Sequence, residues 1–95
     1  QWSLKDLDGA QANWETLRDV NGDDIEANLA LANVYERQYR ISKREALLEW
    51  SNQAISKVLE SERCTPAHRA EALALEGRNL KTLWRARLAG AVDPA

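Results

Sequence analysis

The sequence predicts an all-α fold, with about four antiparallel helices in a single domain, and three observations support this. Ala, Leu, Glu, Arg and Gln, which favour helix, dominate the 95 residues. Apolar residues recur at spacings of three and four, and no stretch alternates with the period of two that marks a strand. The segments between the periodic runs are short, which favours antiparallel packing of successive helices.

The first helix is expected to run from Leu4 or Asp6 to Val20. Its apolar residues fall on one face, because they recur at helical spacing; they are Leu7, Ala10, Trp14 and Leu17. The pair Asn21-Gly22 predicts its end, since glycine tolerates the left-handed conformation that closes many helices.

The second helix is expected to run from Asp24 to Tyr39, with Asp23 as its N-cap. Asp23 followed three residues later by Glu26 is a capping-box pattern, in which each side chain satisfies a free backbone amide. The internal stripe of this helix consists of Ile25, Leu29, Ala32, Tyr35 and Tyr39.

The third and fourth helices have similar start signals. Ser42 with Glu45 predicts the third start, which leaves the segment YRIS, residues 39–42, as an expanded turn. The third helix then carries Ala46, Leu47, Trp50, Ala54, Val58 and Leu59. Thr65 as N-cap and Pro66 at the first helical position predict the fourth start. Its stripe is predicted as Ala70, Leu73, Ala74, Gly77, Leu80, Leu83 and Trp84, with residues 90–95 as a frayed tail.

The first helix resembles the third, and the second helix resembles the fourth. Ala10 and Trp14 in the first helix match Ala46 and Trp50 in the third, each as Ala-x-x-x-Trp. The segment LANVY in the second helix corresponds to LEGRNL in the fourth. The order is therefore B-A-B-A of a two-helix repeat.

This pattern resembles the tetratricopeptide repeat (TPR) family. The family's first helix carries a small residue and then a large one three positions later, as in Ala32 with Tyr35 and Gly77 with Leu80. Its second helix carries the Ala and aromatic pair described above. The resemblance implies a TPR-like α-solenoid, of which residues 1–95 would be a fragment.

The spacing from Ala10 to Ala32 fits the family, whereas the spacings from Ala32 to Ala46 and from Ala46 to Gly77 are longer than its norm. The usual Pro after the second helix is missing after Leu17, and the alternative is an unrelated four-helix bundle.

A weaker resemblance involves the segment GRNLK, residues 77–81, followed by Trp84. It is similar to a segment in the repeat-bearing TRAF-binding region of apoptosis-signal-regulating kinases and their bacterial relatives. This second resemblance implies a signalling context and adds no site residue.

Composition restricts the classes of function. A net charge of -2 argues against nucleic-acid binding, for which the only basic feature is the cluster Arg78, Lys81, Arg85 and Arg87. No apolar run could span a membrane. One Cys and one His predict no metal site and no cofactor, and a lone cysteine suits a reducing, cytoplasmic location.

Catalysis is not expected. Cys64 and His68 are four residues apart, but Thr65-Pro66 between them marks a helix start and argues against a nucleophile–base pair. The paired carboxylates at Asp23 and Asp24 are explained by capping of a helix.

The sequence therefore predicts a non-catalytic protein–protein interaction scaffold with a concave helical groove. The expected partner-binding residues are Glu26, Leu29, Asn33, Glu36, Ala74, Arg78 and Lys81. Two interpretations of this face remain open. Asn33, Arg78 and Lys81 could receive an acidic peptide or a C-terminal carboxylate, or Glu36 could simply form an ion pair with Arg78 or Lys81.

Two further expectations concern the wider assembly. One alternative function is an accessory helical segment that positions a neighbouring domain of a larger signalling or enzymatic protein. In addition, if no helix covers Leu80 and Trp84, their exposure predicts a homodimer through the end helices.

Overall fold

Residues 3–92 of this chain form four α-helices and no strand in a computed structural model, which describes those residues and, for side chains, residues 3–89. The helices are α1 (Leu4–Val20), α2 (Ile25–Ser42), α3 (Glu45–Glu60) and α4 (Pro66–Val92). The all-α class and the four helices are as the sequence predicts. Within residues 3–92, no helix is long and apolar enough to cross a membrane.

A capping box between Ser3 and Asp6, which was not predicted, fixes the start of α1. The Asp6 amide donates to the Ser3 hydroxyl over 3.2 Å, and the Ser3 amide donates to the Asp6 carboxylate over 3.1 Å. The helix ends at Asn21, whose extended backbone makes the cap. Gly22 does not adopt the left-handed conformation, so that part of the prediction is wrong.

The N-cap of α2 is Asp24 and not Asp23. The Asp24 carboxylate accepts a hydrogen bond of 3.0 Å from the Ala27 amide. Asp23 is held in the preceding turn, because its amide donates to the side-chain oxygen of Asn21 over 3.1 Å. This turn moves the start of the helix by one residue, so the predicted box between Asp23 and Glu26 does not form.

The junction of α2 and α3 also differs from the prediction. Residues 39–42 continue α2, and the Ser42 hydroxyl donates to the Gln38 carbonyl as in a helix interior. Lys43 makes the reversal in the left-handed conformation, at φ 62°. Arg44 is the N-cap of α3 and provides no side-chain cap, so Ser42 is not the predicted start.

The start of α4 agrees with the sequence, because the Thr65 hydroxyl accepts a hydrogen bond of 3.1 Å from the His68 amide. Its end does not. The helix continues to Val92, beyond the predicted start of the frayed tail at residue 90. The rest of that tail, residues 93–95, lies outside the described part of the chain.

Cross-helix hydrogen bonds define the topology. Gln38 of α2 bonds Asp8 and Gln11 near the start of α1, while Tyr35 bonds Glu15 further along it, so α1 and α2 are antiparallel. Pairs between α2 and α4 advance together along both helices, from Glu26 with His68 to Glu36 with Thr82. These two helices are therefore parallel, and α3 returns between them.

The core forms around α2 in two clusters. One contains Ile25, Leu29, Ala32, Ala54, Ile55, Val58 and Ala72, and the other contains Leu31, Tyr35, Tyr39, Leu47 and Leu48. The predicted stripe of α2 is buried along its whole length. The predicted aromatics of the neighbouring helices are less enclosed: Trp14 is half-buried, and Trp50 is 36% exposed with its ring edge-on to Tyr35 at 5.7 Å.

The face of α4 that packs inward is only partly the predicted one, since Leu83 of the predicted stripe packs against the core. Ala72, Asn79 and Thr82 are buried, whereas Leu73, Leu80 and Trp84 of the predicted stripe are exposed. Polar contacts help to determine which face of α4 packs inward. The Asn79 amide donates to the Ser51 hydroxyl over 2.8 Å and to the Asn52 side chain over 2.9 Å, and Ser51 in turn donates to the Ala32 carbonyl over 2.6 Å.

Substitution of Leu31 tests the position of the core. Leu31 is fully buried, so Leu31→Ala is expected to lower the free energy of unfolding by about 2–5 kcal/mol. Leu17, which the sequence also assigned to an internal stripe, is 49% exposed. Leu17→Ala should cost less than about 1 kcal/mol. Urea denaturation followed by circular dichroism measures both, and equal losses would contradict the burial described here.

Stability at high pH tests the contact between α1 and α2. The buried Tyr35 hydroxyl donates to the Glu15 carboxylate over 2.5 Å. Burial, and then that bond, raise the pKa of Tyr35 from 10.0 to about 12. The unfolded chain loses this proton first, so the stabilisation is complete below pH 10.0 and is lost as the pH rises to about 12. The stability advantage over Tyr35→Phe should shrink across that interval; a constant difference would refute the assignment.

Candidate partner-binding groove

A groove of about 320 Å³ lies between α2 and α4 and reaches Trp14 of α1. Four of the predicted partner-binding residues line it, namely Glu26, Leu29, Asn33 and Arg78. The parallel course of α2 and α4 brings these residues together from two helices that are distant in sequence.

The floor of the groove is closed by a contact between Asn33 and Arg78. A guanidinium nitrogen, Nη1 of Arg78, donates to the Asn33 side-chain oxygen over 2.7 Å. Burial lowers the pKa of Arg78, the carboxylate of Glu36 opposes that effect, and the positive charges of Arg40 and Arg37 add to it. The Asn33 oxygen therefore already accepts a hydrogen bond from within the chain. Contacts with Asn33 and Glu36 hold the Arg78 guanidinium in place without a ligand.

Beneath this floor lies Glu36, whose side chain is completely buried. Its Oε2 accepts hydrogen bonds from Arg40 Nε over 2.6 Å and from the Thr82 hydroxyl over 2.8 Å. Its Oε1 lies 3.4 Å from Arg78 Nε. One carboxylate of α2 thus accepts hydrogen bonds from Arg40 of its own helix and from Thr82 of α4, and it forms an ion pair with Arg78.

The predicted ion pair from Glu36 to Arg78 is confirmed, and the alternative pairing with Lys81 is not. Lys81 is exposed, and within residues 3–89 it has no ion-pair partner. The interaction is also more buried than the surface pair that the sequence suggested. A buried carboxylate is screened less by salt and depends more on its partners than an exposed one.

Charge is separated along the groove. Glu26 and Glu71 lie toward the N-terminal ends of α2 and α4, while Arg37 and Arg78 lie further along the same helices. His68 also lies at the N-terminal end of the groove, where its Nε2 is 3.5 Å from the Glu26 carboxylate. A ligand lying in the groove therefore meets negative charge at one end and positive charge at the other.

The remaining predicted residues occupy other positions. Leu29 is buried against the core although it borders the groove, and Glu36 lies beneath it. Ala74 and Lys81 are exposed on α4 outside the groove.

Five lining residues were not among the predicted partner-binding residues: Trp14, Ala30, Arg37, Glu71 and Leu75. Helical spacing does place Arg37 on this face, one turn after Asn33, and Glu71 on the matching face of α4. Trp14 could not have been found in this way, because its place in the groove depends on how α1 packs on α2.

Cys64 and His68 each contact the backbone of Thr65, and no hydrogen bond between them is found in the described part of the chain. The His68 Nδ1 accepts a hydrogen bond of 3.3 Å from the Thr65 amide, and the Cys64 thiol contacts the Thr65 carbonyl at 3.6 Å. Both groups thus take part in the start of α4. Across the described part of the chain, no group of three or more His, Cys, Asp or Glu side chains is arranged to hold a metal ion.

Comparison with models of known families, with curated proteins and with solved structures found no match. The resemblance to TPR proteins, and the weaker one to the TRAF-binding region, therefore remain predictions from the sequence.

The energetic role of Glu36 can be tested with an isosteric change. Glu36→Gln keeps the shape but removes the charge that faces Arg40 and Arg78. We expect a loss of about 2–3 kcal/mol in the free energy of unfolding, since both guanidinium groups retain some contact with water.

Glu49→Gln is the matched control for this experiment, because Glu49 is exposed on α3. It should change the stability by less than about 0.5 kcal/mol. Urea denaturation at low and high salt measures both variants. A cost for Glu36→Gln as small as that of the control would show that the buried carboxylate does not hold α2 to α4.

Proposed function

We propose that this chain is a non-catalytic, TPR-like interaction scaffold that receives a peptide or protein partner in the groove between α2 and α4. The observation that carries the proposal is the groove itself, in which residues of two parallel helices are held together by the contact from Arg78 to Asn33. In a helical repeat protein, stacked helix pairs leave such a surface open to a partner.

The helix arrangement supports the TPR-like part of the proposal. An antiparallel α3 lies between the parallel helices α2 and α4, as alternating helix pairs require. The small residue Ala32 is fully buried where α3 crosses α2, and the Ser51 hydroxyl bonds its carbonyl over 2.6 Å. A larger residue there would separate the two helices.

The separation of charge favours an extended ligand in one orientation. The Arg37 guanidinium is exposed on the groove wall and suits a carboxylate, either an acidic side chain or a C-terminus. The Glu71 carboxylate, also exposed, suits a basic side chain at the other end. A peptide with opposite charges at its two ends therefore fits the groove better than one that is uniformly acidic.

Peptide selection tests this function. A random peptide library with free C-termini would be selected on the immobilised chain, and enriched peptides would be titrated by fluorescence anisotropy. Arg37→Glu should weaken binding of these peptides at least about tenfold, because it places like charges together. Glu71→Arg should weaken binding through the opposite end of the peptide.

Matched controls are Lys57→Glu and Glu60→Arg, which make the same charge changes at exposed positions of α3 outside the groove. They should leave affinity within about twofold of the original. Enriched peptides that bind equally well to Arg37→Glu and Glu71→Arg would refute the groove as the binding site.

A further inference from the structure

An exposed apolar stripe runs along the outer face of α4. Leu73, Leu80, Trp84 and Leu88 are 45%, 56%, 62% and 57% exposed. Their spacing places them on one face of the helix. Gly77 lies between Leu73 and Leu80 on the same face, and a Cβ built there would meet no atom within 4 Å. This face is therefore apolar, continuous and unobstructed, as an interaction surface is.

Beside this stripe lies a groove of about 770 Å³ between α3 and α4. Tyr39, Leu48 and Leu83 contribute apolar surface to it. Its charged residues are unbalanced, with three carboxylates against one guanidinium: Glu45, Glu49, Glu76 and Arg87. Within residues 3–89, none of these four has an ion-pair partner in the chain. The groove therefore suits an occupant that brings apolar side chains and positive charge.

The α4 helix itself has the required pattern. In an antiparallel pair of α4 helices related by a twofold axis near residue 82, Leu80 of each copy lies level with Trp84 of the other. Glu76 of each then lies level with the other copy's Leu88 and one residue from its Arg87. Arg87 would approach over Gly77, where no side chain stands in its way.

We propose that a second copy of this chain covers the outer face of α4, through an antiparallel, twofold-symmetric pairing of the two α4 helices. Residues 72–92 of each helix overlap, over a length of roughly 30 Å. Leu80 and Trp84 form the centre of the contact, and Glu76 pairs with the other copy's Arg87 on both sides of the axis. Because the interface is isologous, each of these contacts occurs twice.

The dimer is independent of the peptide groove described above. Arg78 and Thr82, which face α2, lie on a different side of α4 from the apolar stripe. The pairing therefore leaves the groove between α2 and α4 open, and the two sites can be tested separately.

The experiment is sedimentation equilibrium of the chain over a range of concentrations. We expect a reversible dimer, and Trp84→Glu should weaken it at least about thirtyfold by placing two charges in an apolar contact. Glu76→Arg and Arg87→Glu should each weaken it at least about tenfold, because like charges then meet twice. The double variant carrying both changes should recover most of the affinity.

Arg85→Glu is the matched control, since it makes the same charge change at an exposed position of α4 away from the apolar face. It should leave dimerisation unchanged, and circular dichroism checks that every variant retains its helices. A chain that stays monomeric at every concentration overturns the proposal. This holds even if the outer face of α4 binds a helix of another protein. A dimer that is insensitive to Trp84→Glu, or one that the double charge exchange does not restore, also overturns it.

Discussion

The buried carboxylate of Glu36 is the interaction on which the arrangement of this small domain depends. It connects α2 to Arg78 and Thr82 of α4, while Arg40 of its own helix supplies a further charge. Removing a carboxylate from water is costly unless its partners are well placed. These polar contacts favour one position of α4 along α2, and in that position Ala72 and Leu75 also pack against the apolar core.

This constraint explains why the outer face of α4 is free. Leu75 and Leu83 of α4 are partly buried against the core. The buried positions of its inner face are otherwise small or polar, namely Ala72, Asn79 and Thr82. The small side chains on this face let α4 lie close to both α2 and α3. Its polar side chains fix the rotation of the helix through hydrogen bonds. The other leucines of α4 and Trp84 are exposed on the outer face, where only another molecule or another segment can cover them.

Local signals in the sequence predicted most of the fold. Helical periodicity gave four helices, the apolar stripe of α2 is buried throughout, and Thr65 caps α4 as predicted. The errors at Asp23 and Ser42 arose because each residue belongs to a motif that several local structures can use. The inner face of α4 could not be predicted from hydrophobicity, because its partners Glu36 and Ser51 are polar and lie on other helices. The same limitation applies to the groove: Asn33 and Arg78 were found by helical spacing, whereas the place of Trp14 depends on tertiary packing.

The reversal at Lys43 and Arg44 also has a kinetic consequence. It joins the two helices that share most of the core through only two residues, so α2 and α3 can meet without closing a long loop. The entropy lost in loop closure is small for such a hairpin, and local contacts speed folding. We expect α4 to dock afterwards, because its buried polar contacts are made with Glu36 and Ser51 of these two helices. The expected order of assembly is therefore an apolar hairpin first and a polar contact that adds the last helix.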